Sequence, residues 1–385
     1  MKRRPDRVWV EINLDHIRHN FNEIRKKIGP DVKINAIIKA DGYGHGAVET
    51  ARILGENCAD MLSVATLDEA IQLRRKNIRT PLLVLGYILR DRIREITEND
   101  IVISIFDRDM AEGFSRKALE LGTRIKVHIK IDTGMNRVGF HYSKPEDIQA
   151  AFRLEGLHIE GIFTHFSTAD EEDTTYTDLQ FKRFQSLLKG IEGSGHPAML
   201  KHACNSGGVL LHPDKYLDMV RPGLILFGLY PSEHAEKNSG LDLKKAMVFK
   251  SRVIESKEVE AGQPVSYGGK YVTWRKTRIA TIACGYADGY SRLLSGKASV
   301  MINGSCCPVI GNICMDMCMI DITDAEKHIR AGDEVVLFDG EITIDQLAKT
   351  CNTLNYEFVC KIGMRVPRVY LKGNKVHKVS NYLLK

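Results

Sequence analysis

Eight short apolar runs, each joined to the next through a stretch of helical periodicity, fix most of what this chain can become. They cover residues 33–39, 61–65, 82–85, 101–105, 126–131, 159–164, 200–203 and 219–227, with amphipathic segments such as 67–76, 108–121 and 178–191 between them. A strand apolar along its whole length is buried on both faces, and a helical crossover brings the following strand in parallel. Eight such units in series predict a (β/α)8 barrel of the TIM type. A doubly wound sheet would want a Gly-x-Gly-x-x-Gly turn after its first strand. The segment there, Lys39-Ala-Asp-Gly-Tyr-Gly-His-Gly46, lacks that spacing.

After residue 240 the texture changes to short alternating segments with Gly-rich turns, as in 249–259, 277–283, 298–302, 334–338 and 368–372. This predicts a mostly β second domain. The polar stretch 230–240 marks the boundary, giving domains of 1–240 and 241–385, with the first dozen residues packing with the β domain. A chain of 385 residues is too long for one ordinary core, so two domains are expected.

The formal charge of +6 is mild, and its one cluster, Lys2-Arg3-Arg4 with Arg7, is too short for a nucleic-acid surface. No apolar h-region follows that cluster, and no run spans a bilayer. The nine cysteines are odd in number and scattered, which fits neither a disulfide framework nor a zinc ribbon. None of the thirteen histidines forms a His-x-His pair, so a barrel metal site is not expected. A cytoplasmic protein without nucleic-acid or membrane partners is the expectation.

In a parallel barrel, chemistry gathers at the carboxyl ends of the strands. Lys39 ends the first run, and burial there favours a neutral amine able to form a Schiff base with an aldehyde. Lys130, Asp132 and Arg137 end the fifth, His165 the sixth, Asn205 and Ser206 the seventh, and Arg221 and Gly223 lie in the eighth. Ser206-Gly-Gly offers a hydroxyl and backbone N–H groups to a phosphate, and Gly223 can do the same. Together these residues point to a phosphorylated aldehyde cofactor, pyridoxal 5'-phosphate.

On its motifs the chain resembles the alanine racemase family. The segments are Ile38-Lys-Ala-Asp-Gly-Tyr-Gly-His-Gly46, Lys130-Ile-Asp-Thr-Gly-Met-Asn-Arg137, Thr164-His-Phe, Asn205-Ser206, Arg221-Pro-Gly, Val265-Ser-Tyr-Gly268, Gly285-Tyr-Ala-Asp-Gly-Tyr290 and Gly311-Asn-Ile-Cys-Met-Asp-Met317. The resemblance implies a homodimer in which the barrel of one subunit carries the cofactor and the β domain of its partner completes the site. Lys39 is then the cofactor lysine and one catalytic base, and Tyr267 of the second subunit is the other. Two bases on opposite sides of Cα are what inversion requires.

By the same resemblance Arg221 faces the pyridine nitrogen. An arginine only donates, so that nitrogen stays unprotonated, unlike in enzymes that place a carboxylate there. His165 hydrogen-bonds Arg221 and leads toward Tyr267. Arg137 contacts the cofactor's phenolic oxygen and the substrate carboxylate. Lys130 is a carbamylated lysine holding Arg137, Met315 gives its backbone N–H to the substrate carboxylate, and Tyr286 narrows the entry. Tyr43, Asn205, Ser206, Gly223, Leu224 and Tyr356 complete the cofactor site.

The implied activity is interconversion of L- and D-alanine, supplying D-alanine for peptidoglycan. A racemase for serine or for several amino acids is the alternative. A decarboxylase of the same plan would carry a carboxylate in place of Arg221 and lack the Val-Ser-Tyr segment. A carrier protein would consist of the barrel alone.

Overall fold

The computed structural model describes residues 5–57, 59–192, 199–338 and 341–384. The chain divides into two compact units, one of Ile17–Gly42 with Ala47–Lys244, the other of Met1–His16, Tyr43–Gly46 and Lys245–Lys385.

In the first unit eight parallel strands close on themselves: Lys33–Ile37, Met61–Val64, Leu82–Val84, Ile101–Ile105, Ile125–Asp132, Leu157–Phe163, Leu200–His202 and Met219–Val220. The ring shuts where Met219 registers with Lys33. Their buried valines, isoleucines and leucines face both the barrel interior and the surrounding helices, which is why the strands read as continuous apolar runs. The crossover helices start where short polar side chains cap them. Thr66 Oγ1 accepts from the Glu69 N–H at 3.2 Å before Leu67–Arg75, and Asp107 accepts from the Met110 N–H at 2.7 Å before Arg108–Glu120.

Two strands stop more than one residue short of the sequence reading. The first strand stops at Ile37, because Ala40, Asp41 and Gly42 take left-handed dihedrals (φ 53°, 53° and 62°). Lys39 therefore opens a tight left-handed turn, half-exposed, instead of ending a buried strand. The eighth strand is only Met219–Val220. Pro222 has no N–H for the ladder, and Leu224–Phe227 winds into a 3-10 turn.

The second unit is built on one sheet. Its strand order is Thr277–Ile282, Cys318–Asp321, Ser305–Ile310, Ser299–Ile302, Glu334–Phe338, Met247–Val259, Val8–Asn13, Arg368–Lys372 and Lys375–Ser380. A bulge between Val253 and Glu255 bends the long strand Met247–Val259. Its first half pairs with Glu334–Phe338 and its second half with Thr277–Ile282. Val8–Asn13 runs antiparallel to that strand and parallel to Arg368–Lys372. Two short helices, Ile344–Thr350 and Asn355–Cys360, interrupt the β structure. No helix among the described residues is long and apolar enough to cross a membrane.

Candidate active site

The carboxyl ends of the barrel strands gather positive charge. Lys39 follows the first strand, Lys130 lies in the fifth, Arg137 in the loop after it, and Arg221 directly follows the eighth. Lys130 is buried, and its ammonium is pushed down to about 7 by lost hydration and then by Arg221 and Arg137, with Asp132 pulling the other way. His165, after the sixth strand, is held well below its ordinary value by burial and then by Arg221, Lys130, Arg137 and Lys39. Asp132 is the carboxylate set against these cations, and its Oδ1 already accepts from the Gly134 and Asn136 N–H groups at 2.9 and 3.1 Å. A group of side chains with that balance attracts an anion.

Arg221 is buried and its guanidinium is pulled down to about 10 by lost hydration. Nη1 donates to His202 Nδ1 at 2.8 Å. Nη2 donates to the Thr164 and Ala203 carbonyls at 2.7 and 2.8 Å and to His165 Nδ1 at 3.2 Å. All four partners are uncharged acceptors. Of the five guanidinium donors, Nε–H and one N–H of Nη1 stay unused among the described residues. The Phe163 ring lies under both cations, 5.2 Å from the Arg221 guanidinium and 5.4 Å from Lys130 Nζ. Phe163, Thr164 and His202 were given no role by the sequence reading. Only packing across the barrel reveals them.

At the seventh strand Asn205 caps the short helix Ser206–Leu211. Its Oδ1 accepts from the Gly208 N–H at 3.0 Å, and its Nδ2 donates to the Phe166 carbonyl at 3.2 Å. Ser206 Oγ accepts from the Gly223 N–H at 3.0 Å. The Gly223 N–H is thus used within the protein, while the Ser206 hydroxyl keeps its proton to donate. Leu224 begins the following 3-10 turn, so its own N–H has no partner inside that turn.

The other predicted residues belong to the second unit. Tyr43 and Tyr356 are brought together there. Burial pushes the Tyr43 phenol up, and Cys360 and Tyr356 add to the effect. The chain after Tyr43 presses close: Gly44 has φ +79°, and a Cβ on it would stand 2.2 Å from the Val359 carbonyl oxygen. Buried Arg368 holds that segment, donating from Nε to the Gly44 carbonyl at 3.2 Å.

Tyr267 is 75% exposed, a large cost for an aromatic ring unless something covers or uses it. The turn presenting it is stiff. Ser266 sits at φ 68°, its Oγ donates to the Asn312 carbonyl at 2.6 Å, and Asn312 Nδ2 donates to the Tyr267 carbonyl at 2.6 Å. Backbone strain of this kind persists where neighbours over-determine it.

Tyr286 and Met315 form a second group, since the Tyr286 N–H donates to the Cys314 carbonyl at 3.0 Å and the Ala287 N–H to the Met315 carbonyl at 3.1 Å. Both side chains are partly exposed, and the Met315 N–H meets no acceptor among the described residues. A charge network supports the group. Fully buried Asp288 accepts from Arg7 at 2.9 and 2.7 Å and from Arg365 Nε at 2.8 Å, while Arg365 Nη2 reaches Asp316 at 2.6 Å. The sequence reading counted Arg7 in a short basic cluster at the start of the chain and gave Asp288 and Arg365 no role.

Comparison with known proteins agrees with this layout. Residues 12–231 match the family model for the alanine racemase N-terminal domain, and residues 246–370 that for the C-terminal domain. An alanine racemase of Desulforamulus reducens is 46% identical over 367 residues, 94% of this chain and 99% of that protein. The solved alanine racemase of Clostridium difficile 630 superposes with a TM-score of 0.95 at 40% identity, covering 99% of this chain and 100% of that one. That of Bartonella henselae, solved with covalently bound pyridoxal phosphate, gives 0.86 at 26% identity over 95% of this chain and 100% of that one. Matched through both of its domains and along nearly its whole length, the chain belongs to the alanine racemase family.

Proposed function

We propose that this chain interconverts L- and D-alanine with pyridoxal 5'-phosphate, as a cytoplasmic homodimer whose D-alanine feeds peptidoglycan synthesis. The observation that carries the reading is the buried Arg221 guanidinium, held only by uncharged acceptors with N–H groups left over. A basic amino-acid decarboxylase of the same plan would bring a carboxylate to that place. The residues also fit the cofactor elsewhere. The barrel mouth is cationic, as a phosphate requires, and the Ser206 hydroxyl and Leu224 N–H are free to donate to one.

Bound pyridoxal phosphate would supply an electron-withdrawing ring that acidifies the Cα proton of the substrate. Lys39 would hold it through Nζ and would serve as base on one face of the substrate Cα. Tyr267 of the partner's β domain serves on the other face, so a proton leaves one side and another arrives from the opposite side. Arg221 would donate to the ring nitrogen and, as a group that only donates, would leave that nitrogen unprotonated. His165, resting on Arg221 Nη2, leads toward Tyr267. Ser206, Leu224, Tyr43 and Tyr356 would hold the phosphate, with the Gly223 N–H spent on fixing the Ser206 hydroxyl. Asn205 contributes by fixing where Ser206 starts its helix.

Arg137 and the Met315 N–H hold the substrate carboxylate, and Tyr286 limits side-chain size. Lys130, as a carbamate, would turn a crowding cation into an anion that pairs with Arg137. The domain assignment behind this is a barrel of 1–240 and a β domain of 241–385, with the first dozen residues packing with the β domain.

The test is direct. Tyr267→Phe should lower kcat by about 10²-fold or more, the range for a positioned acid–base group, most in the L-to-D direction. Lys39→Ala should lose the borohydride-reducible link to the cofactor. Near-wild-type rates for Tyr267→Phe in both directions would sink the two-base assignment, and a covalent link surviving in Lys39→Ala would sink the whole reading. A panel of amino acids separates alanine from serine as substrate.

A further inference from the structure

Behind Arg221 lies a chain of two imidazoles that the reaction above does not use. Arg221 Nη1 meets His202 Nδ1 at 2.8 Å, and His202 Nε2 meets His128 Nδ1 at 2.8 Å. Both rings are fully buried. Burial and the Arg221 charge hold His202 well below its ordinary value and push His128 down to about 3, so both stay neutral.

A neutral imidazole carries one proton, and a guanidinium can only donate. The direction of every bond is then forced. His202 Nδ1 accepts from Arg221, which leaves its proton on Nε2. That proton goes to His128 Nδ1, so the His128 proton is on Nε2. The His128 Nε2–H has no acceptor among the described residues, and neither does Ser104 Oγ, its neighbour in strand register, have a partner. Stability alone would favour an apolar side chain over a buried donor left unpaired.

The surroundings fix both rings. His202 stacks on Phe163 with centroids 4.8 Å apart and planes 6° from parallel. His128 occupies space that only a glycine leaves, since a Cβ on Gly161 would come within 2.6 Å of its ring. Were His202 to carry its proton on Nδ1, donor would face donor and the guanidinium would be driven from its seat.

We infer that His202 and His128 are positioning residues, a one-way hydrogen-bond chain that fixes Arg221 Nη1 and thereby aims the guanidinium donors left for the cofactor ring. This rests on the reading that Arg221 faces the ring nitrogen.

The first measurement is 15N NMR of the histidine-labelled holoenzyme. The His128 and His202 rings should be among those that are neutral and protonated at Nε2, and both should stay unchanged between about pH 6 and 9, where an ordinary histidine at its low end would titrate. Substituting His128 assigns its ring. A proton on Nδ1 in either ring, or titration of either, overturns the proposal.

The second arm is His128→Leu, which removes the acceptor for His202. Its kcat should fall by about tenfold, equivalent to one lost hydrogen bond of ordinary strength, with KM little changed and the absorption maximum of the bound cofactor shifted. His128→Asn, whose Oδ1 can accept where Nδ1 did, should restore most of both. A folded His128→Leu with wild-type kcat and absorption overturns the chain. If His128→Leu does not fold, His128→Asn supplies the assignment and the tautomers decide. Arg221→Gln separates the two claims. Unchanged absorption there overturns the ring-nitrogen reading, whereas unchanged absorption in His128→Leu alone overturns only the chain.

Discussion

Lys130 sits where an amine gives up its charge near neutral pH. Its ammonium is pushed down to about 7 because it is dry and faces Arg221 and Arg137. Only the neutral amine adds carbon dioxide, losing a proton to become a carbamate. Below about pH 7 the lysine is protonated and unreactive, and above it the amine is free, so the carbamate should increase between about pH 6 and 8. A carbamate signal in 13C NMR with labelled bicarbonate should follow that course and vanish in Lys130→Ala. A signal independent of pH across this range would mean that the amine is not the group titrating. The sequence made Lys39, Lys130, Ser206 and Arg221 legible because a charged or hydroxyl residue at the end of an apolar run stands out. Phe163 and His202 do not stand out. Apolar or aromatic residues in a barrel strand look like packing until the opposite wall is known.

At the scale of elements, loops that carry site residues are braced by partners distant in sequence. Asp288 and Arg7 are separated by 281 positions, which no local pattern can show. Asp288→Asn would leave Arg7 and Arg365 without their shared carboxylate. A loss of about 2 kcal/mol, discounted because both arginines are partly exposed, is expected in urea unfolding. If the Met315 N–H only binds the substrate carboxylate, KM for alanine should rise with kcat little altered. A fall in kcat at constant KM would place that segment in the chemical step instead. The barrel strands were readable because burial on both faces makes them uniformly apolar. The short eighth strand was overcounted because Leu224–Phe227 continues the apolar run past Pro222, and hydropathy does not register a missing N–H.

For the whole molecule, the proposal that each site draws Lys39 from one subunit and Tyr267 from the other has a quantitative consequence. Lys39→Ala and Tyr267→Phe should each be nearly inactive alone. Mixed under conditions of subunit exchange, they should recover about a quarter of wild-type activity, because half the dimers are mixed and each holds one intact site. No recovery after demonstrated exchange would place both residues in the same subunit. The strand Val8–Asn13 also governs how the molecule can be made. It lies between Met247–Val259 and Arg368–Lys372, so it is made long before either neighbour and its sheet cannot close until both have followed. Until then the growing chain exposes a strand with two unpaired edges, a template for pairing with a neighbouring copy. Production of this enzyme should therefore respond to translation speed and to chaperones that shield this strand while it waits.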